Sequence, residues 1–350
     1  MKYKKLNGTD IDVSLICLGT MNWGQQNTEQ DAHDQLDYAV AHDVNFIDTA
    51  EVYPVPPEAE RQGRTESYLG SWLKKTGKRK DLILASKVSP SDVIRTRSYA
   101  GDFPRLDRKN ILAAIDGSLT RLNTDYLDLY QVHWPERKTN FFGVRGVESI
   151  SSDDAAVTTI EETLSALAEV VKSGKARYIG VSNETPWGLT EYLRLAKEKG
   201  LPRIITTQNQ YSLTNRTFEI GLSEICLREN VGLLAYSPLS MGVLSGKYLD
   251  GARPVGARFT LFERNGTRYN PPNTQEAVRK YVALARANNL DPATLALAFV
   301  NGRSFVTSNI IGATSVEQLA IDIASADVEL SADIMNEITA IYATYPDPTA

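Results

Sequence analysis

The chain has 350 residues, 42% of them hydrophobic and 23% charged, the balance of a globular protein with a large core. Its formal net charge of -5 argues against a nucleic-acid binder, which needs a clustered basic excess. Two cysteines (Cys17, Cys226) and three histidines (His33, His42, His133) offer no zinc spacing and no multi-histidine metal site, and no apolar stretch has the length of a signal peptide or a membrane span, so a cytoplasmic location is expected.

Residues 2–6 and 11–13, joined by Asn7-Gly8-Thr9-Asp10, read as a short hairpin. Strand-like runs follow at 15–18, 44–48, 82–86, 127–132, 176–181, 204–208, 231–236 and 306–311. They are continuous in Val, Ile and Leu rather than alternating, as strands covered on both faces are. Helical patterns lie near 29–43, 64–76, 109–123, 159–173, 187–199, 217–229, 275–301 and 315–326. Thr159-Ile160-Glu161-Glu162 and Ser315-Val316-Glu317-Gln318 fit capping boxes, and Gly77, Gly174 and Gly200 mark helix ends. Eight strand–helix units in order predict an α/β fold, a (β/α)8 TIM barrel formed as a single domain over 1–350, with the hairpin plugging its amino-terminal end. An extra helix is expected over 331–345, then a frayed tail at 346–350. The long connections 88–108, 134–157 and 237–274 each follow a strand, so all three belong to the barrel mouth. A shorter one, 54–63, does the same.

Three of the strands end in residues capable of acid–base chemistry: Asp48, Lys87 and His133, with Tyr53 five residues past the acid. Each alone has an ordinary structural reading. Asp48 is a turn or helix cap, Lys87 a surface lysine, His133 a core histidine and Tyr53 a packing ring. Their equivalent places on adjacent strands set them at one mouth. Together they suit carbonyl reduction, in which the substrate oxygen gains a proton. Tyr53 is the acid, Lys87 lowers its pKa, Asp48 keeps Lys87 charged, and His133 hydrogen-bonds the oxygen. Trp23, Tyr53 and Trp134 are expected to line the substrate pocket. Arg95, Arg97 and Arg105 read as a solvated loop, with attraction of anionic substrates as the alternative.

The segments Phe46-Ile47-Asp48-Thr49-Ala50-Glu51-Val52-Tyr53, Ala85-Ser86-Lys87 and Leu127-Asp128-Leu129-Tyr130-Gln131-Val132-His133-Trp134 resemble the tetrad motifs of aldo-keto reductases. Gly19-Thr20-Met21, Gly180-Val181-Ser182-Asn183 and Ala235-Tyr236-Ser237-Pro238-Leu239 are similar to three further motifs of that family. The resemblance spans nearly the whole chain. Tyr53-Pro54-Val55-Pro56-Pro57 and Thr214-Asn215-Arg216 bring it closest to the bacterial Tas-like branch. It implies a barrel, an NADPH (NADP+) cofactor, and Asp48, Tyr53, Lys87 and His133 as the catalytic tetrad.

The resemblance also implies where the cofactor lies. Thr20, Met21 and Asp48 belong to the cofactor site. Ser182, Asn183 and Gln208 would hold the carboxamide, and Tyr236, otherwise a core aromatic, would stack on the ring. Ser237, Leu239, Ser240, Gly242, Lys247 and Arg258 belong to a loop folded over the diphosphate. Gly312, Thr314 and Gln318 open a helix at which the 2′-phosphate would bind, unless Ser315 and Gln318 serve only as a capping box. Related reductases carry Glu and Asn where this chain has Ile321 and Asp322, and Asp322 would repel a 2′-phosphate.

Two other readings stand beside the NADPH-dependent reductase acting on a small carbonyl substrate, with no nucleic-acid or membrane partner. One is an NADP(H)-binding regulatory or channel-associated barrel subunit with little turnover. The other is a hydrolase with paired carboxylates, for which Glu51 is the near candidate. It leaves Lys87 unexplained.

Overall fold

Successive side chains of a strand point to opposite faces, and this parity sorts the residues of each strand between a barrel interior and a helical shell. Cys17, Phe46, Ala85, Leu129, Leu234 and Ile310 pack inside, while their neighbours Leu18, Ile47, Leu84, Tyr130, Leu233 and Ile311 pack outward. The structure, a computed structural model, describes residues 1–90, 105–144, 146–149, 157–262, 266–269 and 271–349.

In chain order the strands are β1 (Tyr3–Lys5), β2 (Asp12–Ser14), β3 (Ile16–Gly19), β4 (Phe46–Asp48), β5 (Ile83–Val88), β6 (Leu127–Val132), β7 (Ala176–Ser182), β8 (Ile204–Gln210), β9 (Gly232–Tyr236) and β10 (Val306–Ile311). The strands β3 to β10 form a closed parallel barrel in the order β10-β3-β4-β5-β6-β7-β8-β9. The antiparallel hairpin β1–β2 sends Leu6 and Val13, both fully buried, into the interior cluster. It plugs the amino-terminal end.

The barrel helices are α1 (Glu29–Ala41), α2 (Arg64–Thr76), α3 (Arg108–Leu122), α4 (Ile160–Lys172), α5 (Pro186–Lys199) and α6 (Leu222–Glu229). Single turns α7 (Arg258–Leu261) and α8 (Gly266–Tyr269) lie in the loop after β9. Then come α9 (Pro272–Ala287), α10 (Pro292–Asn301), α11 (Val316–Ala324) and the extra helix α12 (Ala332–Thr344). Among the described residues no helix is long and apolar enough to cross a membrane.

Three expectations are corrected. The pattern at 275–301 is two helices: α9 ends in its C-cap Asn288, followed by Asn289 at a left-handed φ of 57°, and Asp291 caps α10, its side chain accepting from the Ala293 amide, with Pro292 opening that helix. The pattern at 217–229 is broken at Gly221, whose φ of 97° is left-handed. The tail at 346–349 is docked, not frayed. Thr349 is 1% exposed and donates its backbone N–H to the Thr214 carbonyl at 3.1 Å, and Asp347 accepts from the Arg216 amide at 2.6 Å. In the loop 88–108, Arg95 and Arg97 lie outside the described residues, and Arg105 pairs with Glu136 at 3.1 Å.

Candidate active site

Strand parity carries Asp48 of β4 and Lys87 of β5 to the interior, one step above the apolar layer of Phe46 and Ala85. There the fully buried Lys87 Nζ donates to Asp48 Oδ2 at 2.5 Å and to the Thr49 carbonyl at 2.8 Å. The Tyr53 hydroxyl lies 3.4 Å from the same nitrogen. The turn after β4 that brings Tyr53 back is closed by its backbone N–H to the Ala50 carbonyl at 3.1 Å. His133 follows β6, anchored by its N–H to the Val88 carbonyl at 2.8 Å, and its ring meets that of Tyr53 edge-on at 5.6 Å. The structure thus brings all four residues together.

The second oxygen of Asp48 is held as well. Oδ1 accepts from Gln208 Nε2 at 2.9 Å and from Gln131 Nε2 at 3.3 Å. Between β7 and β8 the register jumps from Ile179–Ile204 to Gly180–Thr206, which leaves both Ile205 and Gln208 facing inward. Gln208, expected at a carboxamide, therefore has its amide directed at Asp48.

Burial and charge compete at each member. Burial pushes the Lys87 amine down, but Asp48 and then Tyr53 raise it, and it ends above the ordinary lysine value. At Tyr53 burial is the largest influence and outweighs the nearby ammonium, so the phenol sits above its usual value. Lys87 lowers it, as expected, but by less than burial raises it. Burial, then the Lys87 charge, holds His133 well below the usual histidine range. At neutral pH the site contains an ammonium, a protonated phenol and a neutral imidazole.

These groups sit at one end of a cavity of about 1010 Å³. Thr20, Met21, Ser182, Asn183, Gln208, Tyr236, Ser237, Leu239, Gly242, Lys247, Arg258, Gly312, Thr314 and Gln318 all line it. Tyr236 donates to Asn183 Oδ1 at 2.7 Å, and Asn183 Nδ2 donates to the His133 carbonyl at 2.9 Å. The loop after β9 crosses the mouth and latches to the loop after β3: Gln26 Nε2 donates to the Gly256 carbonyl at 2.7 Å, and Arg258 donates to Asn22. Gln318 Oε1 accepts from the Thr314 amide at 3.1 Å, while Ser315 caps α11.

Two expected positions fall elsewhere. Trp23 is fully buried outside the barrel, its indole donating to Gln35 of α1 at 3.1 Å, because the turn Thr20–Trp23 and the bond from Thr65 Oγ1 to its carbonyl swing it toward α1 and α2. Ser240 points away from the cavity to Thr214, Oγ to Oγ1 at 2.6 Å. Trp134 does line the cavity, beside Phe142. Sequence reasoning missed Phe142, Arg268, Tyr269 and Asp291 on its walls. Of these only Asp291, in the capping dipeptide Asp291-Pro292, left a readable signal. The candidate carboxylate Glu51 is 1% exposed and accepts the Ser89 amide at 2.7 Å.

Comparison with known proteins agrees with this geometry. The profile of the Aldo/keto reductase family matches residues 15–343. The chain is 53% identical over 350 residues to the protein called Protein tas of Escherichia coli (strain K12), covering 99% of this chain and 100% of that one. It is 30% identical over 345 residues to the "Uncharacterized oxidoreductase YrpG" of Bacillus subtilis (strain 168), covering 98% of this chain and 96% of that one. It is 29% identical over 359 residues to a "Probable voltage-gated potassium channel subunit beta" of Oryza sativa subsp. japonica, covering 100% and 99% respectively. A barrel whose mouth gathers a tyrosine, a lysine, an aspartate and a histidine, matched from end to end by these relatives, belongs to the aldo/keto reductase family of oxidoreductases, in its Tas-like branch.

Proposed function

We propose that this chain is an NADPH-dependent reductase converting aldehydes or ketones to alcohols, acting as a single domain in the cytoplasm. The observation that carries the reading is the contact of Tyr53, Lys87 and Asp48 at the wall of a cavity that runs on to Lys247 and Gln318. The far part of that cavity suits a dinucleotide. Arg258 is 7% exposed, its Nε is without a hydrogen-bond partner, and among the described residues neither it nor Lys247 has an ion pair. Both cations suit a diphosphate. A Cβ at Gly312 would meet nothing nearer than 3.9 Å, so the backbone there is open to a ligand. Thr314 and Gln318 would meet the 2′-phosphate, and Tyr236 would stack on the nicotinamide.

Bound NADPH supplies the hydride. The phenol of Tyr53 keeps its proton at neutral pH and delivers it to the substrate oxygen. As the proton leaves, the Lys87 ammonium at 3.4 Å stabilises the phenolate. Asp48 holds that ammonium charged and in place. Neutral His133 offers a ring nitrogen to the same oxygen and adds no cation to the site. Trp134 and Phe142 give the pocket an aromatic wall suited to substrates with an apolar body.

Replacing Tyr53 with Phe tests the reading. The expected result is a fall in kcat of about 10²–10⁴ on the best carbonyl substrate, with the Kd for NADPH unchanged. Loss of cofactor binding instead would make Tyr53 structural. The likeness to the rice protein supports the second reading, a regulatory subunit. That reading requires tight NADP(H) binding with negligible turnover of the unmodified chain across a broad carbonyl panel.

A further inference from the structure

The histidine of the site touches a residue that takes no part in the mechanism so far. Ser89, 1% exposed, follows β5 directly and sets its Oγ 3.0 Å from Nδ1 of His133. Its backbone N–H is clamped by Glu51 Oε1 at 2.7 Å. His133 and Ser89 are thus neighbours through adjacent strand ends, and the bond of His133 N–H to the Val88 carbonyl sets their spacing.

We propose that Ser89 is a positioning residue whose hydroxyl donates to Nδ1 of His133 and fixes the ring as the Nε2–H tautomer, with Glu51 holding Ser89 in place. The inference rests on the reductase reading for its consequence but not for its geometry. A neutral imidazole carries one hydrogen, on either nitrogen, and the partner of one nitrogen decides the state of the other. The ring lines the cavity, its Nδ1 edge is occupied by Ser89, and Nε2 has no hydrogen-bond partner among the described residues. Nε2 is therefore the nitrogen left for a ligand. A carbonyl oxygen, or the alkoxide it becomes, only accepts. It needs a hydrogen on Nε2, which leaves Nδ1 as a lone pair and requires a donor beside it. A serine hydroxyl rotates to supply that hydrogen. The opposite tautomer would turn a lone pair toward the substrate oxygen and repel it.

The test is a long-range 1H–15N spectrum of the full chain labelled at histidine, near neutral pH, with the His133 signals identified by their loss in His133→Gln. In the unmodified chain Nε2 should resonate as the protonated nitrogen and Nδ1 as the bare one. In Ser89→Ala the two shifts should converge as both tautomers become populated. In parallel kcat/KM for the best carbonyl should fall roughly tenfold, the worth of one hydrogen bond, with the NADPH Kd unmoved. Ser89→Thr, which restores the hydroxyl, should recover both readouts. A hydrogen on Nδ1 in the unmodified chain overturns the proposal, whatever the variants do. So does an Nε2–H signal that persists unchanged in Ser89→Ala. If the unmodified chain reduces no carbonyl, the reductase reading falls while the ring spectra still decide the tautomer.

Discussion

The two ends of the cavity differ in how fully their charged groups are tied down. At the catalytic end the polar groups are tied to one another: Asp48 receives Lys87, Gln208 and Gln131, and His133 Nδ1 lies against Ser89 Oγ. Each geometry is set before a ligand arrives, as electrostatic preorganisation demands. At the far end Lys247 and Asp322 make no side-chain hydrogen bond or ion pair among the described residues, although both line the cavity. Asp322 is 3% exposed, and burial, helped by the nearby charge of Asp291, pushes its carboxyl up to about 8. Gln318 and Arg258 at that end are already hydrogen-bonded to Thr314 and Asn22, whereas Lys247 and Asp322 are left for a ligand.

The contrast is broken most severely at Lys87. Lys87→Met leaves Asp48 buried without its counter-charge, and a loss of about 3–5 kcal/mol in unfolding free energy is expected together with loss of turnover. Thermal or urea unfolding measures the first. A normally stable variant would show that Gln131 and Gln208 suffice to hold the carboxylate.

Next come the two tryptophans that sequence reasoning grouped together. Trp23→Ala should cost about 3–5 kcal/mol of stability, since it empties a packed site outside the barrel, and should leave KM nearly unchanged. Trp134→Ala should do the reverse, raising KM for apolar carbonyls with a smaller stability loss. Equal effects on KM would restore Trp23 to the pocket wall.

A change of pH sharpens the far end. An unfolded aspartate loses its proton near pH 3.9, whereas folded Asp322 holds it to about 8. The folded state therefore carries an extra proton through that window, and stability contributed at this site falls as pH rises from about 4 to 8. Asp322→Asn should remove the slope, so its advantage over the unmodified chain grows across the window and then levels. It should also raise NADPH affinity relative to NADH, by about tenfold above pH 8, where the native carboxylate is ionised. Parallel fluorescence titrations with both cofactors check this, and an unchanged ratio would separate Asp322 from the 2′-phosphate.

The repeating order of strands and helices was legible because it rests on local periodicity, and β6 and α2 match their expected bounds. The convergence of Asp48, Tyr53, Lys87 and His133 was legible because parallel strand ends share one mouth. Other features were not. The apolar pattern of 275–301 runs through a cap and a proline, so one helix was expected where two form. Trp23 sits two residues beyond Met21, a small step in sequence that reverses the direction of a side chain in a turn. Gln131, Gln208 and Ser89 find the partners described above on strands and loops distant in the chain.

What the order of residues determined alone is which elements form, in what succession, and which side chains of each strand face inward. These follow from repeats of 2 and 3.6 residues, which a chain carries within itself. Closure of the barrel decided the rest: the tail pinned to Thr214, the indole of Trp23 outside the wall, and the outcome at Tyr53, where burial outweighs the neighbouring ammonium. Desolvation depends on everything packed around a group, and no local pattern records it.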